Sequence, residues 1–220
     1  MTNRLAIFDC DGTLVDSQAN ICIAMEEAFN GAKLTPPERN AIRRIVGLSL
    51  VEAMAQLIPD GDADLHLTLA DAYKDQFVKL RNTGAMLAEP LYDGIAETLG
   101  ALEDAGWMLG VATGKSDRGL NLLLDHHGLK HRFVTLQTAD RHPSKPHPAM
   151  LEAAIAEAVA APETSVMIGD TTFDMAMGVA AGAHPLGVAW GYHAPDELGA
   201  AGARHVTGHA SEILPYLAAL

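Results

Sequence analysis

Leu5-Ala6-Ile7-Phe8-Asp9-Cys10-Asp11-Gly12-Thr13 is the stretch from which the fold is read. Its apolar run is too short for a helix and stops abruptly at polar residues, which fits a strand buried on both faces of a sheet. The two carboxylates then fall at the carboxyl end of that strand, where open α/β sheets bind ligands. Asp9 can face a bound metal, while Asp11, freed by the turn at Gly12, reaches the same substrate. One acid can attack and the other can shuttle a proton.

Further short apolar runs at 109–112, 166–168 and 186–189 alternate with segments of helical period. This alternation predicts a doubly wound, Rossmann-like parallel sheet with helices on both faces. Ser116 suits the cap of a helix ending at Gly128, Pro148 suits a first helical turn, and Gly182 closes the segment after Thr172. Between 16 and 89 the strand signal vanishes, and Ile21, Met25, Ala28 and Phe29, then Val51, Met54, Ala55 and Ile58, recur at helical spacing. The expected organisation is an α/β core of residues 1–15 and 90–220 carrying a small α-helical cap of residues 16–89. Two neighbouring connectors would hinge that cap over the end of the sheet.

With 220 residues, 49% of them apolar and 20% charged, the chain can bury one sizeable core plus an insertion. A net charge of −13 with only 15 scattered Lys and Arg argues against a nucleic-acid or anionic-membrane surface, so an anionic substrate needs a local positive island. The beginning of the sequence shows no secretory pattern and no 18-residue apolar run follows, so a soluble cytoplasmic protein is expected. Cys10 and Cys22 match no zinc spacing and read as reduced buried thiols. His126, His127, His131, His142 and His147 read as a solvated surface because Gly128 interrupts their helical pairing; Met54, Met175, Met177, Trp107 and Trp190 read as core filling.

A carboxylate can attack phosphorus and form an aspartyl phosphate, provided its charge and that of the substrate are neutralised. A hard cation such as Mg2+ answers this need with one or two carboxylates, so a second acid should lie at another strand end. Val166-Met167-Ile168-Gly169-Asp170 supplies it, and Asp174, four residues on, suits a supporting role such as orienting a lysine. Thr113-Gly114-Lys115-Ser116 runs from a strand into a helix start whose hydroxyl and N–H groups suit a phosphate oxygen. Its Gly-Lys-Ser imitates a nucleotide loop, but position 109 is Leu where that loop requires glycine. In Lys145-Pro146-His147-Pro148 the prolines stiffen a loop that presents an ammonium for phosphate.

Together Asp9-x-Asp11-Gly12-Thr13, Thr113-Gly114, Lys145-Pro146 and Gly169-Asp170-x-x-x-Asp174 resemble the four motifs of the haloacid dehalogenase superfamily, in order and across nearly the whole core. The resemblance implies Asp9 as nucleophile and metal ligand, Asp11 as acid/base lending its backbone carbonyl to magnesium, and Asp170 as the remaining protein ligand. It implies Thr113 and the Gly114 backbone as binders of the phosphoryl group, with Lys145 paired to it. Asp11 sets the chain apart from the metal-free dehalogenases. The helical insertion and Gly187-Val188-Ala189-Trp190-Gly191-Tyr192 are similar to the branch of phosphoglycolate phosphatase and β-phosphoglucomutase. In such caps a loop reads the leaving group; Arg43-Arg44-Ile45-Val46-Gly47-Leu48-Ser49 looks like that loop, with Arg44 able to fork onto a substrate carboxylate. The imine-forming cap lysine of phosphonoacetaldehyde hydrolases has no clear counterpart.

The expected function is magnesium-dependent hydrolysis of small phosphate monoesters, phosphoglycolate-like or sugar phosphates, by a monomer or homodimer. The alternatives are a phosphomutase sharing the same intermediate and a non-catalytic phospho-ligand binder. For Asp11 to donate a proton at neutral pH, burial or neighbouring carboxylates would have to raise its affinity for one.

Overall fold

The computed structural model describes residues 3–219. β1 (Asn3–Phe8) lies inside a sheet because both of its faces are apolar, and Leu5, Ala6, Ile7 and Phe8 are fully buried. Four helices follow: α1 (Gln18–Gly31), α2 (Arg39–Arg44), α3 (Leu50–Leu57) and α4 (Ala63–Asn82). Helices and strands then alternate through α5 (Ile95–Asp104), β2 (Trp107–Thr113), α6 (Asp117–His126), β3 (Phe133–Thr138), α7 (Ala149–Glu157) and β4 (Ala160–Gly169). The chain continues through α8 (Thr172–Ala180), β5 (His184–Val188), α9 (Pro195–Ala200), β6 (His205–Thr207) and α10 (Ile213–Ala218).

All strand pairings are parallel, in the order β3-β2-β1-β4-β5-β6. The chain moves outward from β1 through β2 and β3, then crosses back to lay β4 on the other side of β1. The point where the order reverses, between β1 and β4, opens a crevice at the strands' carboxyl ends. Successive β1 residues feed opposite layers, as a period of two requires. Ala6 and Phe8 pack with Leu99, Leu120 and Ile213, whereas Leu5 and Ile7 pack with Met150, Leu151 and Met177.

Two strands escaped the reading of apolar runs. β3 carries Thr135 and Gln137, buried polar residues that look like loop chemistry in sequence; both hydrogen-bond to the Glu157 carboxylate, at 2.6 and 2.8 Å. β6 has three residues, too few for any period. The start of α6 is as expected: Ser116 Oγ accepts the Gly119 N–H at 3.1 Å.

The region α1–α4 is wholly helical and has an apolar cluster of its own, including Ile21, Met25, Phe29, Ile42, Met54 and Leu69. The connectors that enter and leave it run side by side: Asp16 N donates to Pro90 O at 2.9 Å and Tyr92 N to Leu14 O at 3.0 Å. Asn20, buried at the start of α1, ties them further. Its amide donates to Leu87 O and Glu89 Oε1 and accepts from Leu87 N, each at 2.9 Å. Among the described residues no helix is long and apolar enough to cross a membrane.

Removing the Asn20 amide strands both backbone groups of Leu87 in a half-buried setting. Asn20→Ala is expected to destabilise the protein by about 2 kcal/mol in urea unfolding; a loss below about 0.5 kcal/mol, the range of ordinary surface changes, would mean that water replaces the clamp.

Candidate active site

Strands β1 and β4 are neighbours and each runs into an acid. Asp9 N donates to Ile168 O at 2.9 Å, which extends the sheet pairing by one residue and leaves the Asp9 carboxylate at the strand end. The chain then turns at Gly12, whose φ is +86°. A side chain there would come within 2.3 Å of Asp170 Oδ2, so the left-handed backbone and the close approach both call for glycine. Asp170 receives one donor on each oxygen, Thr13 Oγ1 on Oδ1 and Tyr192 N on Oδ2, both at 2.8 Å.

Lys145 Nζ lies between two acids, 2.8 Å from Asp9 Oδ1 and 2.7 Å from Asp174 Oδ1. Asp174 belongs to the first turn of α8, where it and Thr171 cap each other. Its Oδ2 accepts from Thr171 N at 3.0 Å and from Thr171 Oγ1 at 2.7 Å. Both oxygens of Asp174 are therefore engaged. Asp9 differs: among the described residues the Lys145 ammonium is its one close cationic neighbour, and no backbone N–H or hydroxyl donates to either of its buried oxygens.

Burial pushes the Asp9 carboxyl up to about 7, against the pull of the Lys145 ammonium. Burial, reinforced by Asp9 and Asp174, likewise raises Asp170 well above the usual carboxylate range. Burial would lower Lys145, but Asp174 and Asp9 outweigh it and hold the ammonium above its ordinary value. Asp9, Asp170 and Asp174 each offer an oxygen within 4.8 Å of the others. An all-oxygen, buried, over-acidic cluster fits a hard divalent cation, and Asp9, with Lys145 alone against it, and Asp170, with one donor on each oxygen, keep more open lone pairs than Asp174.

The carboxylate of Asp11 faces elsewhere. It accepts a short hydrogen bond from Ser17 Oγ and forms an ion pair with Lys115 Nζ at 2.8 Å. The residue is buried, as one of the two conditions in the sequence reading requires, and its immediate partners are a hydroxyl and a cation rather than carboxylates. Thr113, buried at the end of β2, accepts the Lys115 N–H on its hydroxyl at 3.3 Å. At Gly114 the chain meets the segment between α2 and α3; a Cβ there would stand 2.5 Å from Leu48 O and 2.7 Å from Gly47 O.

That segment is seated on the core. Ser49 N donates to Ser144 Oγ at 2.8 Å, and His193 Nε2 lies 3.1 Å from Arg44 O while His193 Nδ1 accepts from Thr172 N. Arg44, read from sequence as a substrate contact, pairs with Glu197 of α9 at 2.6 Å. Between the helical region and the core lies a cavity of about 360 Å³ whose lining includes Asp11, Gly114 and Lys115 but not Arg44. Sequence reasoning missed Lys115 and Ser17 as partners of Asp11. The signal for Lys115 was its place directly after Thr113-Gly114; Ser17 carried none beyond its nearness to the first motif.

Residues 6–188 match the family model of haloacid dehalogenase-like hydrolases. Over 212 residues the chain is 35% identical to "Probable phosphatase IndB" of Dickeya dadantii, covering 96% of this chain and 91% of that protein. It is 30% identical over 211 residues to "Tyrosine-protein kinase PtkA" of Mycobacterium tuberculosis, covering 96% and 70%. It is 26% identical over 219 residues to a phosphoglycolate phosphatase of Vibrio vulnificus, covering 96% and 94%. A crystal structure of a "predicted phosphatase" from Clostridium acetobutylicum superimposes with a TM-score of 0.89 at 24% identity, over 100% of both chains.

Native Asp9 keeps its proton up to about pH 7, whereas an unfolded Asp releases it near ~3.9. The folded state thus binds more protons between those values, and metal-free stability should fall as pH rises through the window. In thermal unfolding with EDTA, Asp9→Asn is expected to melt higher than wild type at pH 8 and to lose the stabilisation that added Mg2+ gives wild type. A wild-type melting temperature that rises steadily from pH 5 to pH 8 in EDTA would contradict this account of the cluster.

Proposed function

The chain belongs to the haloacid dehalogenase-like hydrolases, and from that membership we propose that it is a magnesium-dependent phosphatase of small phosphate monoesters, working through an aspartyl phosphate on Asp9. The observation that carries the reading is the Asp9 carboxylate: buried, approached by the Lys145 ammonium and by no backbone or hydroxyl donor, and placed beside Asp170 at the switch point of the sheet. A purely structural acid in such a place would have donors on both oxygens, as Asp174 has. One with an open oxygen suits bond formation with a cation and with phosphorus.

Asp9, Asp170 and the backbone carbonyl of Asp11 are the proposed magnesium ligands. The bound cation would offset the negative charge of nucleophile and phosphate. Thr113 and the Gly114 N–H receive the phosphoryl oxygens, and Lys145 balances the charge on Asp9 and on the group being transferred. Asp174 positions Lys145 and is not itself a ligand.

In the first step an Asp9 oxygen bonds to phosphorus as the ester P–O bond breaks, and the leaving oxygen takes a proton from Asp11. In the second, a water oxygen bonds to phosphorus, its proton passes to Asp11, and the Asp9–phosphorus bond breaks to give inorganic phosphate. Asp11 must carry a proton before the first step. Lys115, paired with Asp11, is placed to turn to the incoming phosphate and free the Asp11 carboxyl for the leaving oxygen.

With the cap taken as residues 16–89, the side-by-side connectors support a hinge there, and the segment 44–49 is the part that would lift from Gly114, Ser144 and His193. Closing would exclude water from the first step, and opening would admit it for the second.

Phosphate release from a panel of small esters is expected with Mg2+ and not with EDTA. Asp9→Asn should lower kcat on the order of 10³-fold or more, and Asp11→Asn on the order of 10²–10⁴-fold. Unchanged turnover in Asp9→Asn would overturn the reading. Return of the phosphoryl group to a second hydroxyl of the substrate, without free phosphate, would make the protein a mutase.

A further inference from the structure

The cavity beside Asp11 is unlike a site for a small polar leaving group. Its walls come from α1, α3, α4 and the seated segment, and they present Ile21, Met25, Leu48, Leu50, Tyr73 and Phe77. Tyr73 and Phe77 stand one helical turn apart with ring centroids 5.1 Å from each other, an aromatic wall on one side of the space. At the end nearest the chemistry lie Asp11 and Lys115, already paired with each other. The remaining lining cations are Lys74 and Arg118, both exposed, and Arg81, half-buried in the last turn of α4; Lys74 also contacts Asp71 at 3.1 Å, so the polar groups sit at the ends of the cavity and the apolar side chains form its walls. Arg44, the candidate for a carboxylate clamp, is engaged with Glu197 outside the cavity.

Burying a hydroxyl or carboxylate against such walls without a partner is costly, whereas burying a hydrocarbon ring there is favourable. A volume of about 360 Å³ falls within the usual range for cavities that take a whole small molecule. A glycolate or glycerol fragment would leave most of it unfilled.

We infer that the preferred substrate is a phosphate monoester whose leaving group is an apolar, ring-sized alcohol, seated in this cavity with its ester oxygen toward Asp11. The inference rests on the phosphatase reading above and assigns the substrate class that reading leaves open. The cavity acts as a sieve by hydrophobic area: esters with one short polar carbon chain reach the same phosphate position but gain nothing from the walls.

Benzyl and ethyl phosphate separate this effect from leaving-group chemistry, because both release a primary alkoxide. With Mg2+ present, benzyl phosphate is expected to exceed ethyl phosphate, glycerol phosphate and phosphoglycolate in kcat/KM by at least about 10-fold, given ~25 cal/mol per Å² of buried apolar surface. Val78→Glu, which puts a charge on the cavity wall, should bring the benzyl-to-ethyl ratio close to one, with a melting curve confirming that the variant folds. Binding of benzylphosphonate against ethylphosphonate, measured by calorimetry, reads the same preference without turnover. Phosphoglycolate or a sugar phosphate outperforming benzyl phosphate would overturn the inference and leave the phosphatase intact. Tight benzylphosphonate binding without hydrolysis of any ester would overturn the phosphatase and keep the cavity's assignment. Equal binding of the two phosphonates would overturn the inference whatever the enzyme does.

Discussion

Everything at the carboxyl end of the sheet depends on one electrostatic constraint: three buried acids share a single buried ammonium. Lys145 contacts Asp9 and Asp174, while Asp170 stands beside them with only a hydroxyl and a backbone N–H as donors. Such an arrangement is too negative to be comfortable once all three acids are ionised, and burial amplifies the repulsion. The protein has two ways to relieve it, by retaining protons or by taking up a cation. The second converts a structural cost into a site, since the charge that makes the acids repel one another is the charge that attracts a cation.

The fold delivers that constraint without special local machinery. β1 and β4 are adjacent because the chain reverses direction across the sheet after β3, and their ends fall within one residue of each other, since Phe8 pairs with Ile168 and β4 runs on through Gly169. Asp9 and Asp170 simply follow. The turn at Gly12 and the α8 cap at Thr171 then fix the neighbours, one closing over Asp170 and the other locking Asp174 onto Lys145. Against this rigid base the helical region contributes apolar walls and a segment that rests on Gly114 by backbone contact.

Much of this was legible in the sequence because it is written in short-range patterns. A run such as Leu5 to Phe8 ending at Asp9 states both strand and site, and Val166 to Ile168 ending at Asp170 repeats the statement. What was not legible depends on side chains meeting across long separations or on polar residues being buried. Thr135 and Gln137 hid β3 because their satisfaction by Glu157 appears only in three dimensions. Arg44 looked like a substrate clamp because its partner Glu197 is 153 residues away. The pairing of Lys115 with Asp11 adds a cation to the surroundings of a buried acid, again through a contact between two motifs that no single motif reveals.

The central claim is that Asp9 becomes covalently phosphorylated, and borohydride reduction of an acid-quenched reaction tests it most directly. Reduction converts an aspartyl phosphate to homoserine, which peptide mass mapping can locate. Wild type quenched during turnover with Mg2+ should yield homoserine at position 9 and nowhere else, and none in EDTA. Steady release of inorganic phosphate with position 9 recovered only as aspartate, under conditions that trap acyl phosphates in a control protein, would contradict the account.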